Sequence, residues 1–432
     1  MRTSPTLLRA LRPQVQERLY DFYDEMRDAD DLVWDRALGA WIGTSHAVVS
    51  TAAADPRLSS VRYPDISAVS EELRPLAEVL SRQMLYSDAP EHPRLRVLFS
   101  KAFTPRAVAT LRARIAEAVE RLIARAAPTG RMDIVADLAR PLPFTVICDL
   151  LDIPQADRPA LAAWSEPIAE AIGNSRLDAD GNRAASESMA HTLAFLRELL
   201  TRHDIPPAPG TLRALMTAQA QDTDQDADDL LANCALLLIA GHETTTHFIG
   251  NAALALLSHP HAADQLRRRP ELMPAAVEEL LRYDAPVQLM LRRARHDLDL
   301  AGRAIAEGQT VLLVCGAANR DPAAYPDPHV LDFERPGGGR HMAFGHGPHF
   351  CLGAALARLE GAIALEALLT RLPGLRLDGT APQWQRSLNF RGLTRLDVTF
   401  TPGAAGGGGS ASGPGFRATG CPEGGVPSCD RF

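Results

Sequence analysis

The residues best equipped for chemistry lie late in the chain, where positions 344 to 353 read Phe-Gly-His-Gly-Pro-His-Phe-Cys-Leu-Gly. Beyond them Leu352, Ala355, Leu356 and Leu359 recur at helical spacing, so Cys351 sits just before a helix N-terminus. Unpaired N–H groups and the positive end of a helix favour a thiolate there. The glycines let backbone approach something flat and bulky, and Phe344 can pack beside the sulfur and keep water away. A thiolate in a dry loop lined by N–H groups is what haem iron needs to promote O–O cleavage. The ordinary alternative is a buried cysteine with no chemical task; the spacing of the residues around it argues against that. A zinc site is a poor rival, because no second cysteine lies within ligand spacing.

A second cluster, Ala240-Gly241-His242-Glu243-Thr244-Thr245, stands in the middle of a long apolar segment. A threonine in a helix normally bonds the carbonyl four residues back, here Ala240 for Thr244. A local widening of the helix would free that hydroxyl. Glu243 beside it is a candidate general acid. His242 and His247 suggest the zinc pattern H-E-x-x-H. They are five residues apart, however, and diverge by about 140° around a helix, which excludes a zinc protease.

The two clusters together resemble the cytochrome P-450 family, in its soluble bacterial, haem-thiolate monooxygenase class. The loop F-G-x-G-x-H-x-C-x-G and the helix segment A-G-x-[DE]-T-[TS] match at every specified position. Glu279 and Arg282, spaced i, i+3 on one helix face, resemble the family's E-x-x-R pair, and Arg335 in Phe-Glu-Arg-Pro is the candidate third member. The resemblance runs from about 86 to 400, with weaker echoes to Trp34 and Trp41.

What the resemblance implies is specific. The fold is mainly α with a small β-sheet subdomain and a long central helix over haem b. Cys351 is the axial ligand of the haem iron. Thr244 and Glu243 are catalytic, positioning O2 and relaying protons to it, and Gly241 leaves room for it. His92, Arg96, Arg292 and His349 face the haem propionates, with Arg293 the alternative to its neighbour Arg292. Ala240, Gly241, Phe344, Gly345 and Gly353 complete the cofactor-binding set. Glu279, Arg282 and Arg335 form a structural network that locks the loop before the ligand. Substrate would meet Leu236, Leu237, Ala240, Val287, Leu289, Met290, Leu388, Asn389 and Phe390, with the 79–88 stretch nearby; each of these apolar residues could equally be core.

The elements that must position these groups follow from periodicity. Residues 13 to 30 read as a short helix. A β-rich part spans about 32–60, with Trp34, Trp41, Ile42, Val48 and Val49 in a hairpin region. The chain is mostly helical from about 92 to 370, in segments such as Val108–Ala126 and Arg183–His203. The helix from about Asp228 to Ser258 is apolar on nearly all sides from Leu230 to Ile239 and so belongs inside the protein. Two further β parts are expected over 297–315 and 374–402. One catalytic domain therefore spans 1–402, followed by a Gly/Ser-rich disordered tail, 403–432, that holds Cys421 and Cys429.

Composition narrows the function classes. Of 432 residues 46% are hydrophobic and 23% charged, and the formal net charge is −8. That is ordinary for a soluble protein and disfavours binding to nucleic acid or an anionic membrane. The six cysteines form no C-x-x-C pair, and no secretory signal or apolar span is visible, so the expectation is a cytoplasmic monomer without a membrane anchor or disulfide framework. With no flavin or iron–sulfur domain in sight, electrons should come from NAD(P)H through a separate ferredoxin and ferredoxin reductase. An arginine-rich surface around Arg94, Arg106, Arg112 and Arg358 could dock the ferredoxin. The expected reaction is monooxygenation by O2 of a small lipophilic substrate, free or bound to a carrier protein, in natural-product tailoring. The alternatives are a peroxygenase driven by H2O2 and a non-catalytic haem-binding scaffold or sensor. The intact Glu243-Thr244 pair and thiolate loop speak against both.

Overall fold

The structure, a computed structural model, describes residues 6–173, 177–201, 213, 226–336 and 340–403. All of the expected tail except Gly403 lies outside these, with Cys421 and Cys429.

A single helix, Ala227–Ser258, runs through the interior and is ~48 Å long. Asp226 caps it by accepting from the Asp228 N–H at 2.9 Å, and Asp228 and Asp229 place negative charge in the first turn. Every residue from Leu230 to Ile239 is buried, which contributes about 1.5–3 kcal/mol for each large aliphatic side chain. The one polar residue in that run, Asn233, is explained by tertiary contacts. Its Oδ1 accepts from Met84 N at 2.8 Å, and its Nδ2 donates to the carbonyls of Asp229 and Arg82. It therefore pins the 82–84 segment, which lines the cavity described below, to the central helix.

Helices Pro141–Leu150, Arg158–Gly173, Ala179–Thr201 and Ala354–Arg371 pack around this axis. The last comes closest at Gly361, where a Cβ would meet Phe248 Cε1 at 2.2 Å. Only a glycine lets the two helices meet there.

The β structure is small and sits to one side. Five strands lie in the order Leu32–Asp35, Ala40–Gly43, Thr310–Val314, Leu289–Ala294, Leu58–Ser59. All pairings are antiparallel except that of Ala40–Gly43 with Thr310–Val314. The chain is thus mainly α with small sheets. Two details differ from the sequence reading. Val48 and Val49 lie in a helix, His46–Ala54, and not in a hairpin; Ser45 caps it by accepting from Val48 N, and the Ala-rich run that follows suits a helix. The strand Leu289–Ala294 and the strand Arg131–Asp133, which pairs with Asp397–Thr399, are not evident from local pattern.

Candidate active site

Cys351 sits between two tight turns, Met342–Phe344 and Gly347–His349, and the helix Ala354–Arg371. Its N–H donates to the Phe344 carbonyl at 2.8 Å, closing the loop on itself. Gly345 and Gly347 both have φ near +73°, a region that costs other residues strain. Gly347 also leans on the His46–Ala54 helix, where a Cβ would lie 3.0 Å from Ala54 Cα. The sulfur is exposed only in the sense that it borders the central cavity. Enclosure by protein pushes the Cys351 thiol up, while the Gly353 N–H, Arg96, Arg358 and the Ala354 N–H oppose this and favour the thiolate.

The predicted cationic residues come together beside the loop. The rings of His92 and His349 are 4.0 Å apart, and Arg96 donates to the Phe350 carbonyl at 2.7 Å. Arg292 faces the same cavity, and its neighbour Arg293 does not. Side chains alternate along the Leu289–Ala294 strand, and Arg293 turns away to donate to Gly308 O. Arg292 Nη2 is buried without a hydrogen-bond partner. Burial holds His92 below its ordinary value; burial with the neighbouring His92 and Arg292 pulls His349 down to about 3. This is a set of donors and cations whose nearest anion, Asp88, is already paired with Arg295. A flat cofactor bearing two carboxylates and needing one sulfur ligand fits it.

On the central helix Ala240, Gly241, Glu243 and Thr244 line the cavity. Two expectations change here. The helix is not widened at Thr244, whose Oγ1 donates to Ala240 O at 3.0 Å; nothing interrupts the ladder, so the ordinary back-bond persists. A π turn occurs instead at Val135–Ala139, and its Ala139 carbonyl accepts from Thr246 Oγ1. The space a side chain would fill at Gly241 is bounded by Ile147, 3.2 Å from the Cβ position, so this glycine serves helix packing as well as the cavity.

The neighbours of Glu243 favour its charged form. Burial pushes its pKa up, but His247, His242 and Arg140 outweigh that and bring it to about 2. His247 Nε2 is 3.2 Å from Glu243 Oε1, although neither ring nitrogen is aligned in a hydrogen bond. His247 is a site residue that motif reading passed over. Its signal was its position one helical turn after Glu243. His242 points elsewhere, bonding Leu238 O and meeting Phe144 edge-on. Among the described residues no cluster suits a metal ion.

Glu279 and Arg282 are fully buried and doubly bonded at 2.7 Å, and Arg335 Nε reaches Glu279 Oε1 at 3.1 Å. Arg282 also donates to the carbonyls of Asn319, Pro328 and Val330, so the network clamps the chain that leads to the cysteine loop. The proposed docking cations fare unequally. Arg94 is paired with Asp229, and Arg358 is bidentate to Glu278 and stacked on Phe344. Arg106 and Arg112 are exposed.

All nine expected substrate residues, Leu236, Leu237, Ala240, Val287, Leu289, Met290, Leu388, Asn389 and Phe390, border one cavity of about 480 Å³. Val287 bridges Phe390, and Gln288 N donates to Asn389 O, joining two distant segments into one wall. The Asn389 Nδ2 donates to Ile172 O at 2.8 Å. Arg62 and Tyr86 border the cavity too; Arg62 escaped motif reading because no pattern surrounds it.

A family model for cytochrome P-450 matches residues 185–373. The chain is 36% identical over 388 residues to the biotin biosynthesis cytochrome P-450 of Bacillus subtilis (strain 168), covering 88% of this chain and 96% of that one. It is 37% identical over 396 residues to 6-deoxyerythronolide B hydroxylase of Saccharopolyspora erythraea, covering 88% and 95%. It also resembles the crystal structure of P-450 BioI in complex with hexadec-9Z-enoic acid ligated acyl carrier protein, with a TM-score of 0.84, 33% identity and coverage of 90% and 99%. Likeness of this extent, along almost the full length of each relative, means that the chain belongs to the cytochrome P-450 family and is a haem-dependent monooxygenase.

Proposed function

We propose that this enzyme hydroxylates or epoxidises a lipophilic organic substrate in natural-product tailoring, with electrons passed from NAD(P)H through a separate ferredoxin reductase and ferredoxin. The carrying observation is one cavity with two ends of different character: Cys351 with Arg96, Arg292, His92 and His349 at its floor, and mostly apolar side chains along its walls. The relatives' names support the tailoring role, since they include a 6-deoxyerythronolide B hydroxylase. The acyl carrier protein in one structural relative supports a carrier-bound substrate as well as a free one.

Haem b, when bound, supplies the redox chemistry by which O2 and two electrons yield one oxygen atom for the substrate and one for water. The chain's own residues do the rest. Cys351 provides the sulfur ligand, with the Gly353 and Ala354 N–H groups and Arg358 favouring its thiolate. Arg96, Arg292, His92 and His349 would hold the two propionates. Glu243, whose neighbours favour its charged form, would relay protons arriving from solvent toward Thr244. The Thr244 hydroxyl must rotate off the Ala240 carbonyl to join that relay. Leu236, Leu237, Val287 and Leu289 exclude water from the reacting end of the substrate.

The test is spectroscopic and isotopic. Purified holoenzyme should show the long-wavelength reduced-CO band of thiolate-ligated haem, and Cys351→Ala should lose it. A panel of macrolactones and fatty acyl compounds, free and carrier-bound, should include one that shifts the Soret band and acquires one atom of labelled O2. Nitrogen-ligated haem in the wild type would overturn the ligand assignment. Peroxide-driven turnover equal to the reconstituted rate would favour a peroxygenase.

A further inference from the structure

Arg62 is a cation on the wall of a mostly apolar chamber. Of the charged side chains that border the cavity, Arg96 and Arg292 belong to the cysteine end and Glu243 to the central helix. Arg62 touches none of them. Its contacts are the Ile172 carbonyl, 3.4 Å from both Nη1 and Nη2, and the rings of Tyr63 and Tyr86, whose centroids lie 5.6 and 5.8 Å from its guanidinium carbon. Among the described residues no carboxylate lies within ion-pairing distance of it.

None of those contacts is an anion, although the Tyr63 and Tyr86 hydroxyls favour the charged form. The Ile172 carbonyl already accepts a shorter bond, 2.8 Å from Asn389 Nδ2, so Arg62 has the weaker share of one acceptor. The two tyrosine faces attract a cation without neutralising it. A guanidinium carries five N–H donors in a planar fork, and two long bonds to one carbonyl with the two neutral tyrosine hydroxyls leave it without an anionic acceptor. Holding such a group beside apolar walls is unfavourable unless something pairs with it.

The geometry points to Arg62, with Tyr86, as the subsite that recognises an anionic head, a carboxylate or a phosphate monoester, on the lipophilic substrate. This deepens the function proposed above and rests on it. An anion bound here leaves an apolar body to lie along Leu236, Leu237, Val287 and Leu289, all on the same cavity. The fork matches two oxygens of either anion in a bidentate pair. A neutral lipophile of equal length would fill the same walls but leave the guanidinium unpaired, which is the condition under which a binding site discriminates most strongly.

The test uses holoenzyme and three ten-carbon probes: decanoate, decyl phosphate and decan-1-ol. Binding is read by calorimetry, which reports occupancy whether or not the Soret band moves, and the Soret shift is recorded alongside. The wild type should bind one or both anions roughly tenfold or more tighter than the alcohol, and the preferred anion identifies the head group. In Arg62→Met the preference should collapse to within about twofold while alcohol binding and the reduced-CO band stay unchanged, which shows the variant folded. Arg62→Lys should keep part of the preference. Equal binding of anions and alcohol by the wild type, or a preference that survives Arg62→Met, overturns the assignment. If that happens while decan-1-ol still shifts the Soret band, the lipophilic-substrate reading stands and only the anion subsite fails. If none of the three probes binds, both fail.

Discussion

The Thr244 hydroxyl donates to the Ala240 carbonyl at 3.0 Å, and the function proposed above asks it to leave that bond for a proton relay. Thr244→Ala should leave haem content and substrate affinity intact but divert reducing equivalents to peroxide. The ratio of product to NAD(P)H consumed measures this, and unchanged coupling would mean that Thr244 only packs. The neighbouring Glu243 gives a prediction in pH. Its pKa is lowered to about 2 in the folded protein, so its contribution to stability is present above the unfolded carboxyl's ordinary range and is lost as pH falls toward the folded value. Denaturation of wild type and Glu243→Gln should therefore differ most near neutrality, with the wild type more stable, and converge between about pH 4.5 and 2. A gap that stays constant through that window would mean that the charge of Glu243 plays no part in holding it.

At the scale of elements, the ion network at Glu279 is the clearest case of a local pair whose meaning is tertiary. An i, i+3 pair on a surface helix is worth little. Here Arg282 and Glu279 are 0% and 1% exposed, and together with Arg335 they gather carbonyls and an N–H from the 319–332 segment. Glu279→Ala would leave two arginines without their carboxylate in the interior and should cost about 3–5 kcal/mol. Urea denaturation measures that cost, and a parallel fall in haem incorporation is expected because the network leads into the cysteine loop. The helix pair at Gly361 is the apolar counterpart. Gly361→Val would drive side-chain atoms into Phe248 and should destabilise by about 1–3 kcal/mol in the same assay.

For the whole molecule, the haem of this family would complete the core. Arg96, Arg292 and the thiol lie at the same end of the cavity, and Arg292 Nη2 is buried without a hydrogen-bond partner. A ligand that binds the folded chain alone stabilises it by mass action. Haem removal should therefore lower the melting temperature by several degrees or more, and readdition of haem should restore it. An apoprotein as stable as the holoprotein would mean that the cluster is satisfied by other means. No described helix is long and apolar enough to cross a membrane.

Short patterns with a single chemical meaning were legible directly. The cysteine loop, the Glu-Thr pair, the Glu279–Arg282 spacing and the buried central helix all depend on residues close in sequence, where spacing alone sets geometry. The choice of Arg292 over Arg293 was not legible, because it turns on which face of a strand meets the cavity, and that strand shows itself only through its partners Thr310–Val314 and Leu58–Ser59. The same holds for the Asn233 clamp, for His247 behind Glu243 and for Arg62. Each is an unremarkable polar residue until distant segments fold against it. Sequence by itself determined the family and the candidate reaction centre, since the candidate ligand, relay and clamp residues announce themselves by type and interval. Only the tertiary structure decided which charges are left unpaired, because pairing is a property of space and not of order along the chain.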